Sequence, residues 1–252
     1  MISKARIKQL RALHLKKNRT ENRAFLAEGT KIVLELLMQD NERIKEIYAL
    51  PDFIDENGSL LKSIDVKYTE VNERELEQIS SLQSPNKVVA ECVFFEAVEL
   101  PSKGSILYMD DIRDPGNFGT IIRLADWFGM KQIHCSSESC ELYNPKVIQS
   151  TMGSFMRVRV NYCELKELAS KFPDKKIYGA VLGGMSIYEQ KLEDGIIVIG
   201  NEANGIRHKN LAVITDPITI PTGGESKGES LNAAMAASII VAEFFRSGHF
   251  NK

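Results

Sequence analysis

The second half of the chain repeats a pattern that few folds can accommodate. Short, almost wholly apolar runs alternate with segments whose apolar residues recur at helical spacing. The runs are SILYMD (105–110), KQIHC (131–135), MRVRV (156–160), KKIYGAVL (175–182), GIIVIG (195–200) and DPITI (216–220). Predicted helices cover 116–128, a short stretch near Lys146, CELKELASKF (163–172) and SLNAAMAASIIVAEFFRSG (230–248). A strand that is apolar on both sides must be covered on both sides. The expectation is therefore an α/β fold: a mostly parallel sheet with helices on both faces. In such sheets ligands gather at the carboxyl ends of the strands. That rule selects three loops: DDIRDPGN (110–117), GNEANG (200–205) and PTGGESKGES (221–230).

The first half reads as a smaller α/β unit. A helical pattern runs through FLAEGTKIVLELLMQ (25–39), with Ile32, Val33, Leu36 and Leu37 on one face. Then come a strand IKEIYAL (44–50), a strand at 66–69, a helix ERELEQI (73–79) and a strand KVVAECVFF (87–95). ELPSKGS (99–105) has linker composition, which divides the chain into domains 1–100 and 101–252.

Charge separates these parts further. The formal net charge is only -2, yet residues 1–23 carry eight basic and one acidic side chain, and residues 24–100 seven and sixteen. Lys4, Arg6, Lys8, Arg11, Lys16, Lys17, Arg19 and Arg23 suit a polyanion, whose binding is driven by counterion release. The same charges also suit the solvated face of a first helix.

Several function classes find no support. The P-loop pattern is missing, as is a G-x-G-x-x-G after a strand, so nucleotide hydrolysis and dinucleotide redox chemistry are not expected. There is no G-x-S-x-G and no H-E-x-x-H, and His14, His134, His208 and His249 are scattered. Cys92, Cys135, Cys140 and Cys163 lack C-x-x-C spacing, which points to reduced thiols and no metal site. No apolar stretch reaches the roughly 18 residues of a membrane span, and no signal-like apolar core follows the N-terminus, so the expected location is cytoplasmic. What remains are glycine-rich, amide-bearing loops with few ionisable groups. They suit a reaction that depends on alignment, such as methyl transfer from a sulfonium donor.

Taken together and in order, the three loops resemble the motifs of the SpoU/TrmH group of S-adenosylmethionine-dependent RNA methyltransferases, in the SPOUT class. The first motif is NFGTIIR (117–123), the second GNEANGI (200–206), and the third Ile220-Pro221 followed by ESLNAAMAASI (229–239). FLAEGTKIVLELL and ISSLQSPNKVVAECV (79–93) are similar to the substrate-binding domain, of L30e-like fold, that many members carry. The resemblance implies a C-terminal domain tied in a trefoil knot, S-adenosylmethionine as cofactor, and a homodimer formed through that domain. It makes Arg123 the catalytic arginine and Asn117 the asparagine that supports it. Gly200, Glu202, Ile220 and Leu231 would hold the cofactor, while Ser230 and Asn232 would order the knot. Ser150 and Gly153 would lie near the RNA acceptor, and Arg11, Lys16, Lys17 and Arg19 would contact RNA phosphates. The segment TGGESKGE (222–229) is longer than the family's usual third motif.

The residues themselves constrain these roles. A guanidinium is too weak an acid to serve as a base, so Arg123 would act by favouring a developing alkoxide and gripping a phosphate. Read alone, Arg123 better suits an ion pair with Asp126, three residues on, or with a partner helix. Asp114 and Pro115 fit an N-cap and first helical position, Ser230 fits the N-cap of the last helix, and Trp127 and Phe128 fit a packing face. The reading is an RNA ribose 2′-O-methyltransferase acting on ribosomal rather than transfer RNA. A SPOUT base methyltransferase and a non-catalytic RNA-binding or assembly protein are the alternatives.

Overall fold

The structure, a computed structural model, describes residues 2–96, 104–224 and 228–248. Most of the expected linker (99–105) and residues 225–227 of the third loop lie outside the described residues. The chain divides into two compact units: Met1–Glu96 with Leu142–Met156, and Ala97–Glu141 with Arg157–Lys252. Residues 142–156, which the sequence reading left within 101–252, thus belong with the first unit.

The first unit opens with two basic helices, α1 (Lys4–Ala12) and α2 (Lys16–Asn22). The helical pattern expected over 25–39 is realised only in part. Ala24–Glu28 form a strand, β1, buried at every residue, and the helix α3 is Thr30–Gln39. Gly29 separates them at φ +102°, a conformation no helix can run through. β2 (Ile44–Ala49), α4 (Pro51–Ser63), β3 (Tyr68–Glu70), α5 (Glu73–Ile79) and β4 (Val88–Val93) follow. The sheet order is β1-β4-β2-β3, with β4 antiparallel to both neighbours and β2 parallel to β3. The period of two sends Ala24 and Leu26 to one face, where they pack with Leu10 of α1 and Leu76 and Ile79 of α5. Phe25 points the other way, 4.8 Å from Tyr143 and 5.9 Å from Phe155 between ring centroids, which seats the 142–156 segment in this unit.

The second unit contains β5 (Ile106–Met109), α6 (Pro115–Trp127) and β6 (Gln132–Cys135). The chain then leaves through α7 (Pro145–Thr151) of the first unit and returns as β7 (Arg159–Tyr162), α8 (Leu165–Lys171), β8 (Lys176–Ser186) and β9 (Gly195–Ile199). A short α9 (His208–Leu211), β10 (Asp216–Thr219) and α10 (Ala233–Arg246) complete it. The six strands are all parallel, in the order β10-β8-β9-β5-β6-β7. Tyr108, Ile196 and Val198 pack with Leu165 and Leu168 of α8 on one face. Leu107 and Ile197, also buried, alternate to the other face, where α6 and α10 pack on each other. Both faces are covered, as near-continuous apolar strands require.

Candidate active site

The described residues of the three loops chosen from sequence follow β5, β9 and β10 at the carboxyl edge of this sheet. After Met109 the backbone turns sharply at Asp111, whose φ of +61° is a left-handed conformation that a short polar side chain tolerates. Asp114 then caps α6, its Oδ1 accepting the Asn117 N–H at 2.8 Å, and Pro115 takes the first helical position. This places Asn117 in the first turn of α6.

Asn117 joins all three motifs. Its Nδ2 donates to Glu202 Oε1 in the second loop, and its Oδ1 accepts from Asn232 Nδ2 of the third at 2.8 Å. Asn232 Oδ1 in turn accepts the N–H groups of Ala234 and Met235 at 3.0 and 3.2 Å, capping α10. Polarity is determined along this chain of bonds. A carboxylate only accepts, so the Asn117 amide must present nitrogen to Glu202 and oxygen to Asn232; the α10 N–H groups only donate, so Asn232 must present oxygen to them. The cap of the last helix is therefore Asn232, and the expectation for Ser230 is corrected. Ser230, two residues earlier and exposed, cannot serve, because an N-cap must sit directly before the first helical residue, Ala233.

Gly200 opens the second loop, which closes on itself through paired backbone bonds between Asn201 and Gly205. A Cβ at Gly200 would fall on the backbone of Gly205 and Ile206. The glycine is demanded by the loop's own closure before any ligand is considered. Ile220 is half-buried and Leu231 is exposed. β8 continues past Gly179, its last residue paired with β9, and carries Leu182 and Met185, exposed by 76% and 59%, a pair of apolar side chains that the sequence reading did not select.

Arg123 is exposed, and among the described residues it has neither a hydrogen bond nor an ion pair. The ion pair with Asp126 is not formed. Asp126 instead accepts both Nε and Nη2 of Arg157, with Nη2 at 2.8 Å. Nor do Asn117 and Arg123 touch: six residues of helix turn them about 120° apart. Arg123 shares its face with Trp127, four residues on and 84% exposed, so Trp127 is not the packing residue expected. Phe128 does pack, 5.1 Å from Phe245 of α10.

The remaining candidates lie in the first unit. Ser150, on α7, donates its hydroxyl to the Lys146 carbonyl at 2.7 Å. Arg11, Lys16 and Lys17 are exposed. Arg19 is only 2% exposed, and its Nη1 donates to the Leu13 and His14 carbonyls at 2.9 and 2.8 Å. Its charge closes the corner between α1 and α2, whose last carbonyls need donors, and does not reach out to a phosphate.

A second set of contacts binds the first and second loops, and sequence reasoning missed it. Asp110, with no exposure, accepts the Arg207 N–H at 2.8 Å and its Nε at 2.6 Å. Arg207 Nη1 also reaches Glu138, in the loop after β6. Burial works against the charge on Arg207, but the bond to Asp110 and the charges of Asp110 and Glu138 outweigh it and raise the pKa. Asn201 Nδ2 donates to the Asp111 carbonyl at 2.8 Å. The only signal in the sequence was an acidic pair ending an apolar strand and an arginine following GNEANGI.

Among the described residues no cluster of His, Cys, Asp or Glu could hold a metal, and no helix is long and apolar enough to cross a membrane. Comparison with known proteins agrees with the geometry. Residues 104–242 match the model of the SpoU rRNA Methylase family, and residues 4–90 that of the MRM3-like substrate binding domain. The chain is 27% identical over 242 residues to the 23S rRNA (guanosine(2553)-2′-O)-methyltransferase of Bacillus subtilis, covering 94% of each. A TrmH-family structure from Porphyromonas gingivalis superposes with a TM-score of 0.84 at 34% identity, covering 97% of this chain and 98% of that one. The AdoMet-bound rRNA methyltransferase of Sinorhizobium meliloti gives 0.82 at 26% identity, covering 98% and 96%.

Proposed function

The chain belongs to the SpoU rRNA methylase family, and from that premise we propose that it transfers a methyl group from S-adenosylmethionine to a ribose 2′-hydroxyl of ribosomal RNA. The observation that carries this reading is the meeting of all three motifs on the Asn117 side chain. Its relatives support the chemistry: the Bacillus protein is named a 2′-O-methyltransferase of 23S rRNA, and the Sinorhizobium structure holds AdoMet.

The carboxyl edge of the sheet fits the cofactor. Leu182, Met185 and Leu231 offer exposed apolar surface suited to an adenine ring and a methionine chain, beside the backbone-rich loops at Gly200 and Ile220. When bound, the cofactor supplies an electrophilic methyl group and leaves as a neutral thioether. Glu202 and Asn232, joined through Asn117, hold the walls of that pocket in register. Arg123 favours the alkoxide that develops as the ribose hydroxyl attacks, and its planar fork can hold the adjacent phosphate.

In this reading a second copy of the chain docks through the second unit. The Arg123–Trp127 face of α6 is its contact, burying an exposed tryptophan and bringing each Arg123 toward the partner's loops. A trefoil threading also belongs to this reading. It is supported by β10 lying at the sheet edge while α10, later in the chain, packs on α6 and β9 near the middle. RNA is gripped by the exposed Lys4, Lys8, Arg11, Lys16 and Lys17 of the first unit, with Ser150 as a further contact, and the enzyme works in the cytoplasm.

The test is Arg123→Ala assayed with labelled cofactor on ribosomal RNA. Transfer is expected to disappear while cofactor binding by calorimetry stays within about twofold, because the residue lies outside the pocket walls. Turnover equal to wild type refutes the role of Arg123, and a methylated base in nucleoside digests refutes ribose as the acceptor.

A further inference from the structure

We infer that Arg207 is a positioning residue for the second loop, and that its pair with Asp110 sets where Glu202 stands against the cofactor and Asn117. The inference rests on the methyltransferase reading and adds to it a device outside the three motifs.

A buried ion pair is weak support for stability, since apolar side chains of similar volume fill a core as well or better. What it does that apolar groups cannot is define register. Asp110 engages Arg207 twice, through the backbone N–H and through Nε, so both the chain and the side chain at that position are held. At the loop's other end, Asn201 Nδ2 holds the carbonyl of the very next residue, Asp111. Asn201 Oδ1 meanwhile accepts the N–H groups of Ala203 and Asn204 at 2.9 and 3.2 Å, tightening the turn from within. Both ends of the second loop are thus tied to two consecutive residues, with Glu202 suspended between them. Those two residues lead directly into the Asp114 cap and Asn117, the partner of Glu202.

The turn between these two points of attachment is made by Asp111 in the left-handed conformation, at φ +61°. Arg207 Nη1 adds a third tie, to Glu138 beyond β6, so this residue, which follows β9, is joined to the ends of β5 and β6. Lysine cannot reproduce this, having one nitrogen where the arginine fork uses two.

Arg207→Met, Arg207→Lys and Asp110→Asn test the assignment in the full-length protein. For each, S-adenosylmethionine affinity is measured by calorimetry, affinity for ribosomal RNA by filter binding, and kcat and KM for the cofactor separately. Arg207→Met and Asp110→Asn are expected to raise the cofactor Kd and KM roughly tenfold or more, the scale on which small misplacements act, with RNA affinity within about twofold. Arg207→Lys should fall between, because its single ammonium can still pair with Asp110 but cannot also reach Glu138. Cofactor affinity within about twofold of wild type in Arg207→Met overturns the inference, and so does a loss confined to RNA binding. Should Arg207→Met not fold, Arg207→Lys and Asp110→Asn decide by the same criterion. Wild-type protein that binds no S-adenosylmethionine would instead refute the proposed function.

Discussion

Asn232 performs two tasks with two different atoms, and one substitution separates them. Its Oδ1 caps α10, and its Nδ2 donates to Asn117. Asn232→Ala removes both. Loss of an N-cap costs about 1 kcal/mol, and loss of one neutral hydrogen bond about 0.5–1.5 kcal/mol, so the total is roughly 1.5–2.5 kcal/mol. At about 2–4 °C per kcal/mol for a chain of this size, Tm should fall by roughly 3–10 °C. Asn232→Asp keeps the cap, since aspartate caps as well as asparagine and its charge suits a helix N-terminus. It removes the donor, however. Asn117 would then turn its oxygen either to the new carboxylate or, if the amide flips, to Glu202. Neither arrangement preserves the link between motifs. Losing one such bond, about 1–1.5 kcal/mol, predicts roughly a tenfold fall in methyl transfer. The assays are thermal unfolding and incorporation of labelled methyl groups into ribosomal RNA. Asn232→Asp with wild-type turnover, or Asn232→Ala with unchanged Tm, would refute the reasoning.

Other substitutions probe separate parts of the molecule. Neutralising Lys4, Lys8, Arg11, Lys16 and Lys17 together should flatten the dependence of RNA affinity on salt, by up to about 0.7–0.9 in log–log slope for each lost phosphate contact. Arg19→Gln, by contrast, should lower Tm and leave that slope as it is, because the side chain serves backbone carbonyls. Gly200→Ala should abolish cofactor binding measured by calorimetry, since the new methyl group meets backbone at Gly205 and Ile206; normal binding would show that the loop closes otherwise. Burial pushes the Glu46 carboxyl up, but bonds from Tyr48, Thr69 and Lys67 outweigh it and hold the pKa below the usual 4.5. A depressed carboxyl stabilises the fold above its unfolded pKa and ceases to as pH falls through its folded value. The Tm gap between wild type and Glu46→Gln should therefore be full at neutral pH and close on acidification below about 4.5, and a constant gap would contradict the assignment.

The legible parts of the site were those with a local signal. Asp114-Pro115 announced a helix start, and the three apolar strands placed their loops at one edge of the sheet. The errors came where two local signals competed. FLAE joined the helical pattern after it because apolar residues in a short window suit either period, and only pairing of Ala24–Glu28 with β4 settled it. Ser230 and Asn232 are both good caps, and the choice depended on where the long helix could begin. Arg19 looked like its basic neighbours until the corner between two helices enclosed it.

By itself the sequence determined the class of fold, the order of the loops and the family, because strand periodicity, turn chemistry and short motifs are properties of neighbouring residues. Tertiary structure alone decided what those loops do to one another. Asn117 meets residues 85 and 115 positions away, and Asp110 meets one 97 positions away. Contacts of that separation leave no periodic trace in one chain. They exist because parallel strands bring their carboxyl ends together, whatever the distance between them along the sequence.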